Sequence, residues 1–161
     1  MDRHTFIGKR KVGSTDICDF TDYQGIGHDP LYKRYDSVHS VIRRVISPQY
    51  IHFLAAPDYA PSEDAVNWYI DEWTETPERF SSLDGDKRER FKQIKNSTIA
   101  HYKAALETLS GEDLQIMACA LRYIDDDFIY CCDDKVYLLA WGMTPDSRLS
   151  LIHISEPTRP Y

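Results

Sequence analysis

The chain has 161 residues, and its 26 acidic residues outnumber its 19 basic ones, which gives a formal net charge of −7 at pH 7. This balance argues against a general binder of nucleic acid or of anionic membranes, because those partners require a basic face. No stretch has the length of an apolar membrane span, and the first residues lack the apolar core of a secretion signal. We therefore expect a cytoplasmic protein whose partners are neither nucleic acid nor membrane.

Residues 1–35 have the least regular pattern and are predicted to be an irregular segment that packs on the rest of the domain. Ser14 or Thr15 is suited to cap a short helix that continues to Phe20. The next residues are rich in glycine and end at a proline, which excludes a long helix or strand.

A candidate site lies in this segment at Gly25, Gly27, His28 and Asp29. Backbone N–H groups beside glycines can hold a phosphate, and a histidine next to an aspartate is suited to acid–base chemistry. The alternative is an ordered loop that His28 ties down. The sequence leaves both interpretations open.

Residues 36–125 are predicted to form a helical domain. Its first helix begins at Asp36 or Ser37 and has apolar residues on one continuous face, with the spacing i, i+3, i+4, i+7 and i+8: Val38, Val41, Ile42, Val45 and Ile46. A short second helix begins at Ser47-Pro48, where proline suits the first helical position.

Three further helices are predicted in the same domain. Ser62 to Asp64 begins a third helix with acidic residues at the positive end of its dipole, and its inner side would be Val66, Tyr69, Ile70 and Trp73. A fourth runs from about Asp86 to Leu109, and its basic face from Lys87 to Lys95 suits either an acidic partner or solvent. A fifth begins at a capping box at Ser110 and keeps helical spacing to Ile124.

Residues 126–145 are predicted to form a β-hairpin, with Asp133-Asp134 as its turn. The second strand, Lys135 to Trp141, is apolar on both faces, which is typical of a strand covered on both sides. Two strands alone are marginal in water. The sequence therefore predicts that a further cover and an edge partner come from a sheet that continues beyond the chain.

The tail from Leu149 to Arg159 resembles a translated transposase adapter from sequencing libraries, since the residues can be back-translated into that adapter without a gap. The resemblance implies that residues 149–161 are a non-native tail and that the natural protein is cut off near Arg148. Such segments are excluded before a fold is inferred.

The run Arg122 to Tyr130 contains three consecutive aspartates between apolar residues. It resembles the aromatic-x-Asp-Asp motif of reverse transcriptase palms, in which paired carboxylates hold two metal ions. A simpler divalent-metal site would use Asp125, Asp127 and Asp133, with Asp134 as the alternative to Asp133, because oxygen ligands suit hard cations such as Mg²⁺. The alternative is a solvated helix-to-strand turn, a role that aspartate fills well.

The predicted fold class is mainly α within α+β: about five helices in an irregular bundle, followed by the C-terminal hairpin. No complete catalytic set can be assembled, so the first hypothesis is a helical protein-interaction or scaffold module at the N-terminus of a larger cytoplasmic bacterial protein, without a cofactor. The alternative is a fragment of a metal-dependent enzyme that uses the Asp125–Asp127 turn. Whether the protein is an enzyme, and its oligomeric state, are left open.

Overall fold

The computed structural model describes residues 8–16, 20–23, 25–26, 29–30, 35–122 and 124–145. Within this part, three α-helices pack with two three-stranded antiparallel sheets, so the predicted five-helix bundle is wrong and the fold is α+β. The helices are α1 (Tyr35–Val45), α2 (Gly85–Leu106) and α3 (Gly111–Ala120). The strands are β1 (Lys9–Asp16), β2 (Phe20–Tyr23), β3 (Gly25–Ile26), β4 (Asp29–Pro30), β5 (Ala56–Ala60), β6 (Ala65–Asp71), β7 (Glu78–Arg79), β8 (Ile129–Cys132), β9 (Lys135–Leu138) and β10 (Met143–Pro145).

The helices α1, α2 and α3 lie where the first, fourth and fifth helices are predicted, although α3 ends at Ala120 rather than at Ile124. In α1 the predicted apolar face is the buried one, with Val38, Val41 and Ile42 at most 2% exposed. These helices follow the sequence because a single face carries their apolar residues. The predicted second helix is reduced to a 3₁₀ turn at Pro48–Tyr50.

The third predicted helix is wrong, because residues 56–71 form the β5–β6 hairpin. Residues 61–64 are its four-residue turn and include Ser62 to Asp64, which are predicted to begin the helix; Asp64 has a φ of 51°. Along β6 the burial alternates: Val66, Trp68 and Ile70 are buried, and the residues between them are partly exposed. The spacing of Val66 and Ile70 also fits a helix, so this short run satisfies both periods, and packing against neighbouring strands decides between them.

The short helix predicted at Ser14 or Thr15 is also replaced by a strand. β1 pairs with β6 along its whole length, and the indole Nε1 of Trp68 donates a hydrogen bond of 3.0 Å to Oγ1 of Thr15. The register shifts between Lys11 and Gly13, which leaves an extra residue, a β-bulge, in β1. The three-stranded antiparallel sheet that contains β1 therefore has the order β1-β6-β5.

The hairpin of β8 and β9 is confirmed, with Asp133 and Asp134 as its two-residue turn. Both turn residues have positive φ, at 50° and 59°, as the type I′ turn of a two-residue hairpin requires. β9 ends at Leu138 rather than at the predicted Trp141, and residues 136–138 are all at most 2% exposed, as expected of a strand that is covered on both sides.

Residues earlier in the chain supply cover and an edge partner for this hairpin, which the sequence predicts from residues beyond the chain. Ala55 and Phe53 exchange backbone hydrogen bonds with Leu138, at 3.0 and 2.6 Å, so the segment before β5 pairs with β9. The helix α2 packs against β9. Trp141 contacts Trp68 and donates a buried hydrogen bond of 2.7 Å to the Ala55 carbonyl. These contacts cover the apolar faces of the hairpin, and a sheet that continues beyond the chain stays a prediction.

Among the described residues, no helix combines the length and the apolar character needed to cross a membrane. The predicted tail, residues 149–161, lies outside the described residues, so the adapter interpretation stays a prediction.

Candidate functional site

The acidic run before β8 forms a 3₁₀ turn at Asp126–Phe128. The Asp125 carboxylate accepts a hydrogen bond of 2.8 Å from the backbone N–H of Asp127, and thereby caps the turn. Asp126 forms an ion pair with Lys95, with Nζ and Oδ1 2.9 Å apart. The run therefore forms a turn before β8, and metal binding by it stays a prediction.

Asp133, the third carboxylate of the predicted metal site, holds a different loop. It accepts hydrogen bonds from the backbone N–H groups of Thr74 and Glu75, at 2.9 and 3.0 Å, and from the Thr74 hydroxyl at 2.8 Å. The bonds from Thr74 are the main cause that holds the Asp133 pKa below its usual value. In the described part of the chain, no three His, Cys, Asp or Glu residues are grouped as a metal ion would need. The magnesium site of Asp125, Asp127 and Asp133 stays a prediction without support from this geometry.

The second predicted site is described only in part. Gly25 and Ile26 pair with Pro30 and Asp29 as two short antiparallel strands. Gly27 and His28 lie outside the described residues, so the proposed phosphate loop and acid–base pair stay predictions.

Residues of the basic face predicted for the fourth helix form ion pairs with other parts of the same chain. Lys87 forms an ion pair with Glu78 in β7, and Arg90 forms one with Asp134 in the hairpin turn, at 3.4 Å. Lys95 lies 4.1 Å from the ring centroid of Phe80 as well as beside Asp126. This face of α2 therefore contacts the β7–β8–β9 sheet and the segments around it.

A cluster of charged groups around Asp71 has no counterpart in the sequence analysis. Asp71 ends β6, and its carboxylate lies 3.0 Å from Nζ of Lys9 on β1 and 3.7 Å from Nζ of Lys135 on β9. His52 lies nearby, with its ring 5.1 Å from the ring of Tyr137. Residues far apart in the chain meet here, and none has the spacing of a motif, so no sequence signal indicates the cluster.

The electrostatics of this cluster explain its protonation states. Burial, supported by the positive charge of Lys135, lowers the pKa of His52 to about 4, so its imidazole is neutral at neutral pH. Burial acts to raise the pKa of Asp71, but the hydrogen bond from Lys9 and the charges of Lys9 and Lys135 outweigh burial and hold the pKa below its usual value. A neutral imidazole can accept a proton. The ion pairs of Asp71 are nevertheless those of a structural network that ties β1 and β9 to β6.

A groove of about 350 Å³ lies between α1 and α3. Its floor is formed by two apolar residues, Val41 and Ile116, each of which has only 2% of its surface exposed. The remaining lining residues are polar or charged: Asp36, Ser37, Ser40, Arg44, Glu112 and Asp113. Arg44 and Asp113 form an ion pair across the groove, at 3.0 Å. The sequence predicts both helices but not that these faces meet.

Comparisons with known proteins give no relative. No family model matches the chain, and neither the curated proteins nor the solved structures contain a match. Any function therefore has to be inferred from the geometry of the chain itself.

The vicinal cysteines of β8 are not suited to redox chemistry. Burial raises the pKa of Cys131 to about 12 and that of Cys132 to about 11. Because the thiolate is the reactive form, both thiols are unreactive at neutral pH. They fill space in the core, where both are fully buried.

Proposed function

We propose that this domain is a protein-interaction module that binds a basic segment of a partner in the groove between α1 and α3. The observation that carries the proposal is the lining of the groove, in which an apolar floor lies beneath a rim with three carboxylates and one guanidinium. Lysine and arginine side chains match this arrangement, because their alkyl stems pack on apolar surface while the charged head stays at a polar rim.

The floor and the rim have separate roles in this interaction. Val41 and Ile116 close the bottom of the groove with apolar side chains, and the hydroxyls of Ser37 and Ser40 can accept hydrogen bonds from the charged head. A volume of about 350 Å³ is at the lower end of the range for small-molecule sites, roughly 300 to 1,000 Å³. It therefore suits one long side chain better than a large ligand.

The ion pair between Arg44 and Asp113 is weak enough for an incoming cation to compete with Arg44. The side chains of Arg44 and Asp113 are 55% and 38% exposed. Exposed pairs of this kind contribute at most about 1 kcal/mol, so an incoming cation can compete for Asp113 at small cost.

A structural explanation of the same acidic residues is the alternative. Asp36 lies in the first turn of α1, and Glu112 and Asp113 lie in the first turn of α3. Carboxylates there stabilise their own helices through the helix dipole. This explanation predicts no specific cation binding, so a titration separates the two.

The test uses the acetylated amides of arginine and lysine as probes, with the acetylated amide of glutamine as the neutral control. Amide chemical shifts of the full chain are followed by NMR during each titration. We expect saturable shifts of Ser37, Ser40 and Ile116 with the two cations only, with a dissociation constant on the order of 1 mM for so small a probe.

Two matched variants locate the binding. Asp36→Asn removes one rim carboxylate and should weaken binding several-fold. Asp86→Asn removes a first-turn carboxylate of α2, outside the groove, and should leave binding unchanged. Shifts that scatter over the acidic surface, or that respond equally to both variants, would show that the groove is not a binding site.

A further inference from the structure

The strand β1 forms an edge of its sheet. It pairs with β6 on one side, and in the described part of the chain no strand pairs with its other side. A strand edge presents backbone N–H and C=O groups that can pair with another strand. The open edge of β1 is eight residues long, which is enough for a complete strand-to-strand contact.

The charges of β1 have an order that matches the same strand running in the opposite direction. Lys9, Arg10 and Lys11 occupy its first three positions, and its last position, 16, is an aspartate. Antiparallel pairing of two copies would bring position 16 of the second copy opposite Lys9. The same register places Thr15 of the second copy opposite Arg10, so that no two like charges meet.

The bulge at Val12 makes this match possible. Residues seven apart on a regular strand lie on opposite faces of a sheet. In β1, however, Lys9 is paired with Asp71 and position 16 with Ala65, and these two partners are six residues apart on β6. Positions 9 and 16 are therefore on the same face, and two-fold pairing keeps them on one face of the joined sheet.

We propose that β1 pairs antiparallel with β1 of a second copy of this chain about a two-fold axis, which joins two three-stranded sheets into one six-stranded sheet. Closed two-fold dimers are the commonest protein oligomers. This interaction goes beyond the groove and uses none of its residues, so the two proposals can fail independently.

The ion pairs around Asp71 support the choice of a second copy as the partner. In one copy, Asp71 lies between Lys9 and Lys135, at 3.0 and 3.7 Å, so one carboxylate serves two ammonium groups. An aspartate from the second copy opposite Lys9 would add a second negative charge beside these two ammonium groups. Because of the two-fold symmetry, this contact between an aspartate and Lys9 forms twice in each dimer.

Lysines and bulges on edge strands usually deter pairing, because they bring like charges together and twist the edge away. In β1 the same features are complementary to the strand itself, so they deter other basic strands but not a second copy. A single strand edge buries less surface than the roughly 1,200 Å² of a standard stable complex. We therefore expect a weak, reversible dimer, with a dissociation constant on the order of 10 to 100 µM.

Sedimentation equilibrium of the full chain over a hundredfold range of concentration measures this constant. Asp16→Lys would place two lysines opposite each other at both ends of the paired strands and should weaken the dimer about tenfold or more. Glu63→Lys, which makes the same charge change in the exposed β5–β6 turn, should leave the constant unchanged. Asp16→Asn should give an intermediate loss, and far-UV circular dichroism verifies that each variant is folded.

A chain that stays monomeric at every concentration overturns the proposal. So does a dimer that Asp16→Lys and Glu63→Lys affect equally, since another surface would then hold it together. A monomer that pairs only when an acidic extended peptide is added would also overturn it and identify β1 as a site for a foreign strand.

Discussion

The most informative perturbation of the fold is Trp141→Phe. The Trp141 side chain is fully buried, its ring lies 5.8 Å from that of Trp68 and 6.0 Å from that of Tyr35, and its Nε1 donates a hydrogen bond of 2.7 Å to the Ala55 carbonyl. It follows β9 and contacts β6, α1 and the segment before β5. Trp141 is therefore one of the residues that join the two sheets.

The expected loss of stability has two parts. Phenylalanine cannot donate to the Ala55 carbonyl, and leaving a buried acceptor without its partner costs about 1–3 kcal/mol. The smaller ring also leaves a cavity, which adds about 1 kcal/mol. The free energy of unfolding should therefore fall by about 2–4 kcal/mol, a large fraction of the roughly 5–15 kcal/mol that is typical of a domain.

Urea unfolding followed by far-UV circular dichroism measures this loss, because tryptophan fluorescence itself changes with the substitution. With a slope of about 2 kcal/mol per molar urea, the midpoint should fall by about 1–2 M. The control is Trp73→Phe, which removes a partly exposed ring over which Arg10 lies at 4.3 Å and should cost no more than about 1 kcal/mol. Equal midpoints for the two variants would refute the contacts assigned to Trp141.

Three further predictions concern protonation and hydrogen bonding. Because the pKa of His52 is about 4 in the folded chain and about 6.5 when unfolded, the unfolded chain binds its proton first on acidification. The free energy of unfolding should then fall by about 3 kcal/mol as the pH decreases from 6.5 to 4, and His52→Gln should flatten this dependence in urea melts at stepped pH. Asp133→Asn should lower the melting temperature at neutral pH more than Asp134→Asn does, since Asp133 accepts three hydrogen bonds and Asp134 makes one long ion pair. This difference in melting temperature should disappear as the pH falls through the depressed pKa of Asp133, because the charged carboxylate supplies the additional stability. A difference that is independent of pH would contradict the hydrogen bonds assigned to Asp133. In a variant whose other two cysteines are serine, Cys131 and Cys132 should be silent toward Ellman's reagent until a denaturant is added, and rapid labelling of the native chain would show that β8 is not buried.

The sequence predicts those elements whose pattern fits only one structure. The apolar face of α1 and the hairpin turn at Asp133 and Asp134 have this property, and both are confirmed. The β5–β6 hairpin does not, because Val66 and Ile70 fit a helix as well as a strand and only β1 and β5 on either side resolve the choice. Tertiary contacts override local preference in such short runs.

The candidate sites depend even more on tertiary contacts. Lys9 and Asp71 are 62 residues apart, and Arg44 and Asp113 are 69 apart, so neither the Asp71 cluster nor the groove has a local pattern to recognise. The aspartates at 125–127, in contrast, have a conspicuous pattern, and in the structure Asp125 and Asp126 hold a turn and an ion pair. A motif of acidic residues indicates chemistry only when the fold brings its members together.

The segment from Phe53 to Ala60 makes backbone hydrogen bonds in both sheets, first with β9 and then with β6. Neither sheet can open along this segment without breaking contacts of the other. The described part of the chain should therefore unfold as one cooperative unit rather than sheet by sheet. The backbone amides of Ala55 and Leu138 should be among the slowest to exchange with solvent, at a rate set by global unfolding.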